Sequence, residues 1–107
     1  MTRGSVYWIN LENQTPPEFG KIRPALIISN SEQNLMLSTL VVIPISSTGE
    51  EIWPLRLEIA LPKKKRSFCI IPGIRQISKS RLMEKICDIP SEHMADITSA
   101  LFSYLQD

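Results

Sequence analysis

Short apolar segments with a two-residue period constrain the fold of this chain more than any other feature. The clearest is residues 55–61, in which aliphatic side chains occupy every second position. Because successive side chains of a β-strand point to opposite faces, this alternation predicts a strand with one buried face. The polar residues 12–21, which include Pro16, Pro17 and Gly20, predict an exposed loop. Further short apolar segments predicted to be strands are residues 5–11, 24–29, 40–45, 68–71 and 74–77.

A single helix is expected after the strands. Residues 91–105 place Met94, Ile97 and Leu101 on one face of a helix, where they can pack on a sheet. Ser91 follows a proline and is the predicted N-cap. Short strands followed by one terminal helix predict a mainly β fold with a C-terminal α-helix, built as a small, strongly bent antiparallel barrel on which the helix packs.

The length and the apolar segments favour one domain outside the membrane. At 107 residues the chain matches one typical domain, so a single domain over residues 1–107 is expected. Its longest apolar runs are far shorter than the roughly 20 residues that cross a bilayer. Asn10 and Glu12 interrupt the N-terminal region where a signal peptide has a continuous apolar segment. These features predict a cytoplasmic protein with no membrane contact.

Metal-binding side chains are scarce. His93 is the only histidine, and the two cysteines, Cys69 and Cys87, are far apart in sequence. No spacing of His, Cys, Asp or Glu is typical of a metal site with three or four ligands. Cys69 lies in an apolar segment and is expected to be buried as a small hydrophobic residue. We therefore predict no metal and no cofactor, and we assign no role to His93, which is expected to be exposed.

The positive charge is concentrated in one region, although the net charge is only +1. Nine of the 12 Lys and Arg residues lie between residues 56 and 85, against two Glu. A nucleic-acid backbone is the commonest partner for such a region, because each phosphate contact releases bound counterions. The consecutive residues Lys63, Lys64, Lys65 and Arg66 are candidates for RNA contact. A solvated loop is the alternative interpretation of these four side chains.

Four segments carry a resemblance to a known family. They are residues 3–8 (RGSVYW), 23–30 (RPALIISN), 41–47 (VVIPISS) and 74–82 (IRQISKSRL). In this order they resemble the successive conserved blocks of the MazF/PemK (Kid) toxin endoribonucleases of type II toxin–antitoxin modules, and the terminal helix also fits. The resemblance implies an SH3-like antiparallel barrel of the kind shared with the gyrase poison CcdB. It also implies a homodimer that a cognate antitoxin neutralises, with indirect association with DNA through the antitoxin complex.

The resemblance further implies cleavage of single-stranded RNA without metal, leaving a 2′,3′-cyclic phosphate and a 5′-hydroxyl. The family's catalytic arginine falls on Arg23, whose planar guanidinium can bind the scissile phosphate. Its glutamate falls on Glu18, a candidate general base for the 2′-hydroxyl. Its active-site hydroxyl falls on Ser46, although Ser47 and Thr48 follow directly and can serve instead. Without the resemblance, a surface ion pair, a solvated loop glutamate and a hydroxyl in a turn explain these residues as well.

The other candidate RNA contacts are less closely tied to the family pattern. Trp53 is predicted either to stack on a base or to pack on the barrel. Arg75 matches a family position and is a candidate RNA contact. Three departures from the family pattern matter, since Ser5 replaces the usual Asp, Gly73 replaces a common Gln, and residues 49–65 differ in length and content. We therefore expect a hydrogen bond or ion pair near Arg3 to be missing, and we transfer no base preference from the family.

Two other functions fit the same fold. The first is a CcdB-like poison that binds gyrase through the C-terminal helix and has no nuclease activity. The second is a catalytically weak RNA-binding module, in which the basic region binds RNA while Ser46 and Gly73 have reduced the activity. The nuclease hypothesis depends on Arg23 together with Glu18 and Ser46.

Overall fold

The computed structural model describes residues 1–11 and 21–107. Antiparallel strands dominate these residues, and one long helix ends the chain. In chain order the elements are β1 (Ser5–Asn10), β2 (Ile22–Ile27), α1 (Ser31–Met36), β3 (Thr39–Ser46), β4 (Arg56–Leu61), β5 (Lys65–Ile70), β6 (Arg75–Ser78), β7 (Leu82–Asp88) and α2 (Ser91–Tyr104). Single 3₁₀ turns occur at Pro62–Lys64, Ile71–Gly73 and Lys79–Arg81. The predicted mainly β fold with a C-terminal helix is confirmed.

The strands form one bent antiparallel sheet in the order β4, β5, β3, β2, β1, β7, with β6 also paired to β3. β3 changes partners along its length. Residues 39–42 pair with β6, whereas Ile45 and Ser46 pair with β5. A strand shared in this way bends the sheet into a half-barrel. The bend brings the start of β2 and the end of β3 near the β4–β5 hairpin.

Apolar side chains are buried on both faces of this sheet. Alternation along β2 directs Leu26 to one face and its neighbours Ala25 and Ile27 to the other. The first face carries the larger core, and α2 packs on it through its three buried side chains. This core comprises Val6, Leu26, Ile43, Ile45, Leu57, Ile59, Leu61, Cys69, Ile71, Ile89, Met94, Ile97 and Ala100. The smaller core comprises Ile9, Leu11, Ala25, Ile27, Leu40, Val42 and Ile77.

The start of α2 differs from the prediction. Ser91 is the first helical residue, and Pro90 is the N-cap, with extended backbone (φ −55°, ψ 146°). The carbonyl of Pro90 accepts hydrogen bonds from the backbone N–H groups of His93 and Met94, at 3.0 and 3.1 Å. The predicted serine cap is therefore wrong. A fixed φ suits proline to a helix start, and the helix begins here without a side-chain cap.

Two elements were not predicted. α1 is a six-residue helix whose N-cap, Asn30, accepts hydrogen bonds from the backbone N–H groups of Glu32 and Gln33. One and a half turns are too short for a helical period to be visible. β7 pairs with β1 across two register shifts, and its side chains are exposed or half-buried, so it lacks regular alternation. No helix in the described part of the chain is long and apolar enough to span a membrane.

Candidate active site

A cavity of about 340 Å³ opens where β2 begins and β3 ends. Its wall continues the larger core, because Ile45 and Leu61 belong to both. Trp8 and Pro24, which face each other across the β1–β2 pair, form another part of the wall. The polar groups at the cavity are Lys21, Arg23, Ser47, Lys65 and Ser67. Three of these are cations, and no carboxylate lies among the described lining residues, so the cavity favours an anionic ligand with an apolar part.

Arg23 reaches this cavity as the second residue of β2, half-buried and opposite Ile9 of β1. Just before it, Lys21 adopts a left-handed backbone (φ 66°), and its carbonyl accepts a 2.7 Å hydrogen bond from the Leu11 N–H. This bond closes the base of the β1–β2 connection at the rim of the cavity. Glu18, the predicted general base, belongs to residues 12–20 and lies outside the described residues.

The three candidate hydroxyl residues at the end of β3 do not share one environment. Ser46 is 8% exposed, and its Oγ donates to the Thr48 carbonyl at 3.2 Å and accepts from the Thr48 N–H at 3.3 Å. Ser46 thus stabilises the turn that follows β3. This is the alternative interpretation given above, a hydroxyl that bonds within a turn. Strand alternation directs Ser47 to the same side as Ile45, and Ser47 lines the cavity. Of the three hydroxyls, that of Ser47 is best placed to meet a ligand bound beside Arg23.

The run of basic residues at positions 63–66 is divided between different surfaces. Lys65 lines the cavity, whereas the Arg66 Nε lies 2.9 Å from Oε1 of Glu58. The Arg66 guanidinium also stacks over the Phe68 ring, 5.3 Å from its centroid. Lys63 is exposed in the tight turn between β4 and β5, with φ 68°. The side chain of Lys64 lies outside the described part of the chain.

Trp53 and Arg75 lie away from the Arg23 cavity. Trp53 is 56% exposed and lines a separate cavity of about 270 Å³, together with His93 and Asp96 of α2. At this exposure the Trp53 indole can still stack on a base, so base stacking and packing on the barrel both stay predictions. Arg75 is half-buried at the start of β6, opposite Val42. Of the predicted site residues, Arg23, Ser47 and Lys65 line this cavity, and the other described candidates do not line it.

Three cavity residues were not singled out from the sequence. Trp8 is 39% exposed near the end of β1, and strand alternation places it on the same face as Val6. Ser67 is 1% exposed and lies opposite Ile59 of β4. Lys21 ends the polar loop. The two-residue period marks the faces of Trp8 and Ser67, but only the bend of the sheet places them at one cavity.

Ser5, which replaces the family's usual aspartate, makes its own polar contacts. Its Oγ donates to Oδ1 of Asp88 at 2.7 Å, and Lys85 Nζ lies 3.0 Å from the other carboxylate oxygen. These contacts lower the pKa of Asp88, with the Ser5 hydrogen bond as the largest cause. A polar link therefore joins the start of β1 to the end of β7, and it does not involve Arg3. The Arg3 guanidinium donates instead to Oγ1 of Thr98 on α2.

Neither cysteine is activated. Burial raises the pKa of Cys69 to about 12, so the thiol stays protonated in the core, as the sequence predicted. Burial also raises the pKa of Cys87. Among residues 1–11 and 21–107, no group of three or more His, Cys, Asp or Glu side chains is placed to hold a metal ion.

The fold matches solved structures over nearly its whole length. The MazF structure from Deinococcus radiodurans superposes with a TM-score of 0.85 at 23% identity, covering 98% of this chain and 96% of that one. An endoribonuclease in complex with its cognate antitoxin, from a mycobacterial species, superposes with a TM-score of 0.81 at 22% identity, covering 98% and 94%. At these identities the likeness establishes the fold.

Sequence relatives establish the family. The chain is 31% identical over 105 residues to the endoribonuclease MazF of Staphylococcus saprophyticus, covering 94% of this chain and 88% of that protein. It is also 31% identical over 103 residues to the endoribonuclease EndoA of Bacillus subtilis, covering 92% and 89%. The family model for PemK-like, MazF-like toxins of type II toxin–antitoxin systems matches residues 2–105. The chain therefore belongs to the PemK-like, MazF-like toxin family.

Proposed function

We propose that this toxin is an endoribonuclease that cleaves single-stranded RNA without a metal, by attack of the 2′-hydroxyl on the adjacent phosphate. The observation that carries the proposal is the convergence of Arg23, Ser47 and Lys65 on one cavity whose described lining has no carboxylate. Such a site attracts the phosphate of an RNA strand and can stabilise the charge that develops on it. The products would be a 2′,3′-cyclic phosphate and a 5′-hydroxyl.

Arg23 is proposed to hold the scissile phosphate. Its guanidinium presents a planar set of donors to two phosphate oxygens and remains protonated throughout, so it acts through charge and geometry. Ser47 is proposed to donate a hydrogen bond to a third oxygen, and Lys65 to contribute a nearby positive charge. Holding the 2′-hydroxyl in line with the phosphate supplies much of the acceleration in such an intramolecular reaction.

Glu18 is proposed as the general base that removes the proton from the 2′-hydroxyl. The support is its place in the family pattern, three residues before Lys21 in the sequence, and Lys21 lines the cavity. Arg66 is no longer proposed to contact RNA, because it pairs with Glu58 and stacks over Phe68. Thr48, Trp53, Lys63, Lys64 and Arg75 remain proposed contacts to RNA outside the cavity. Their positions make them candidates for affinity rather than for chemistry, because none of those described lines the cavity with Arg23.

The proposed partners follow from family membership and from the charge. A cognate antitoxin is expected, since one structural relative was solved in complex with its own. We propose a homodimer in the cytoplasm, with DNA association only through the antitoxin complex. The adjacent Leu35, Met36 and Leu37 are 80%, 84% and 55% exposed and offer apolar surface to a second protein chain. Sedimentation at micromolar concentration tests the dimer, and a monomer that still cleaves RNA would contradict it.

The proposed activity is tested by incubating the purified protein with a defined single-stranded RNA in EDTA and mapping both new ends. We expect cleavage to persist, with 2′,3′-cyclic phosphate and 5′-hydroxyl ends. Arg23→Ala serves as the matched control, because the residue lies on the cavity wall and its loss should spare the core. RNA left whole by the wild-type protein would favour the gyrase-binding alternative. RNA bound tightly but never cut would favour a weak RNA-binding module.

A further inference from the structure

The proposed reaction involves two proton transfers, and Glu18 serves only the first. Attack by the 2′-oxygen breaks the bond between phosphorus and the 5′-oxygen of the next nucleotide. That oxygen leaves as a strongly basic alkoxide unless an acid gives it a proton while the bond breaks. The attacking and leaving oxygens lie roughly in line at phosphorus. The acid must therefore reach the scissile phosphate from the side opposite to the base.

The chemistry of the described lining limits this acid to a lysine. Hydroxyl and indole groups are very weak acids, and a guanidinium keeps its proton in proteins. No carboxylic acid lies among the described lining residues. An ammonium group carries a proton at neutral pH and releases it far more readily than a guanidinium does. Two ammonium groups line the cavity, those of Lys21 and Lys65.

The order of the strands separates these two lysines. β3 pairs with β2 along one edge and with β5 along the other. Adjacent strands lie about 4.8 Å apart, so the backbones of β2 and β5 are about 10 Å apart, which leaves room for a phosphate between their side chains. Lys21 directly precedes β2 and follows Glu18 by three residues, so it belongs to the segment that carries the proposed base. Lys65 is the first residue of β5, on the other side of β3.

We propose that Lys65 is the general acid that protonates the 5′-oxygen as it leaves. The inference rests on the proposed function, because that function supplies the RNA and the attacking 2′-hydroxyl. Arg23 and Ser47 hold the phosphate between the two proton-transfer groups. As the 2′-oxygen bonds to phosphorus, its proton goes to the Glu18 carboxylate. As the bond from phosphorus to the 5′-oxygen breaks, a proton goes from Lys65 Nζ to that oxygen.

The protons and charges balance in this step. The RNA products are a 2′,3′-cyclic phosphate and a 5′-hydroxyl. The protein is left with a protonated Glu18 carboxyl and a neutral Lys65 amine, so its total charge is unchanged. Exchange with water then returns both groups to their starting forms, and no metal or other reactant is consumed.

The test replaces the 5′-oxygen of the scissile phosphate by sulfur, because a thiolate leaves without being protonated. Single-turnover cleavage at saturating RNA is measured on the oxygen and the sulfur substrate, each with one mapped cleavage site. We expect Lys65→Ala to cleave the oxygen substrate roughly 10²- to 10⁴-fold more slowly than the wild type, the usual contribution of a general acid. It should cleave the sulfur substrate at nearly the wild-type rate. Lys65→Arg keeps the charge but holds its proton, so it should show the same pattern.

Two further lysine variants serve as controls. Lys85 is exposed, pairs with Asp88 and does not line the cavity, so Lys85→Ala should cleave both substrates at the wild-type rate. Lys21→Ala removes a cation from the same cavity and should slow cleavage of both substrates by the same factor. All three lysines are exposed, so the melting temperatures should stay near that of the wild type. Rescue by sulfur in Lys21→Ala instead of Lys65→Ala would overturn the assignment.

The outcomes separate failure of the general acid from failure of the proposed function. Cleavage by the wild type, with Lys65→Ala slowed equally on the oxygen and the sulfur substrate, would overturn the general acid and leave the nuclease intact. Full cleavage of the oxygen substrate by Lys65→Arg would do the same, because charge alone would then suffice. Both substrates left whole by the wild type would overturn the nuclease and the general acid together.

Discussion

Lys65 and Arg66 are adjacent in sequence but lie on opposite faces of β5. Lys65 lines the cavity beside Arg23, whereas Arg66 pairs with Glu58 at 2.9 Å and stacks over Phe68. The two-residue period of the strand enforces this separation. One basic cluster in the sequence therefore supplies one charge to the cavity and one to a surface ion pair.

The salt dependence of RNA binding should distinguish these two residues. Lys65→Gln removes a cation from the cavity and should reduce the slope of log affinity against log salt concentration by roughly 0.7, the value for one phosphate contact with a single strand. Arg66→Gln should leave the slope near that of the wild type, because Arg66 already pairs with Glu58. Fluorescence anisotropy with an uncleavable oligonucleotide measures both slopes. Equal reductions in the two variants would show that the faces of β5 do not separate their roles.

Arg23→Lys should lower the rate of cleavage strongly while the protein remains folded. Lysine keeps the charge but lacks the planar donor pair, and loss of one donor to developing charge costs about 10²- to 10³-fold in rate. Single-turnover cleavage, with a thermal melt of the same sample, measures both properties. Full activity in Arg23→Lys with an unchanged melting temperature would remove the proposed role.

Ser46→Ala and Ser47→Ala should affect different properties. Ser46 bonds to the turn at Thr48, so its loss should lower the free energy of unfolding by about 1 kcal/mol with little change in the cleavage rate. Ser47 faces the cavity and is exposed, so its loss should slow cleavage at saturating RNA without lowering stability. Urea unfolding and single-turnover kinetics test the pair. The reverse pattern would assign the active-site hydroxyl to Ser46.

The contact between Ser5 and Asp88 should make stability depend on acid pH. Because the folded state lowers the pKa of Asp88, the carboxylate contributes stability above the ordinary Asp pKa of about 3.9. That contribution is lost as pH falls through the lowered pKa. Ser5→Ala removes the largest cause of the shift, so its melting temperature should fall less than that of the wild type between pH 7 and pH 3. Parallel melting curves for the two proteins across this range would show that the hydrogen bond does not stabilise the carboxylate.

An element could be predicted from the sequence where one of its faces is buried and the other is exposed. β4 and α2 carry regular apolar periods, and both were located to within about two residues. α1 and β7 carry no regular apolar period, because α1 is short and most side chains of β7 are exposed. Local pattern therefore identifies an element only when its packing repeats along the chain.

The candidate site could be predicted only in part, because a local sequence pattern does not report most of the contacts that form it. Arg23 follows from its place at the head of an apolar strand in the family pattern, and the cavity lies there. Ser46 and Ser47 differ in environment because the Ser46 hydroxyl accepts a hydrogen bond from the Thr48 N–H. The position of Trp53 depends on its packing beside α2. Neither a hydrogen bond within a turn nor packing against a distant helix leaves a periodic trace in the sequence. Trp8 and Ser67 line one cavity only because the sheet bends.

The central claim is that the ribose 2′-hydroxyl is the nucleophile, and one substrate tests it most directly. The measurement compares an all-ribose RNA with the same RNA carrying a single deoxyribose 5′ to the cut, both in EDTA. The account predicts rapid cleavage of the first, with a 2′,3′-cyclic phosphate end, and no cleavage of the second at that site despite nearly equal binding. Cleavage of the deoxy-substituted RNA, or a plain 3′-hydroxyl end on the product, would show that water attacks instead and would contradict the mechanism assigned to Arg23, Glu18 and Ser47.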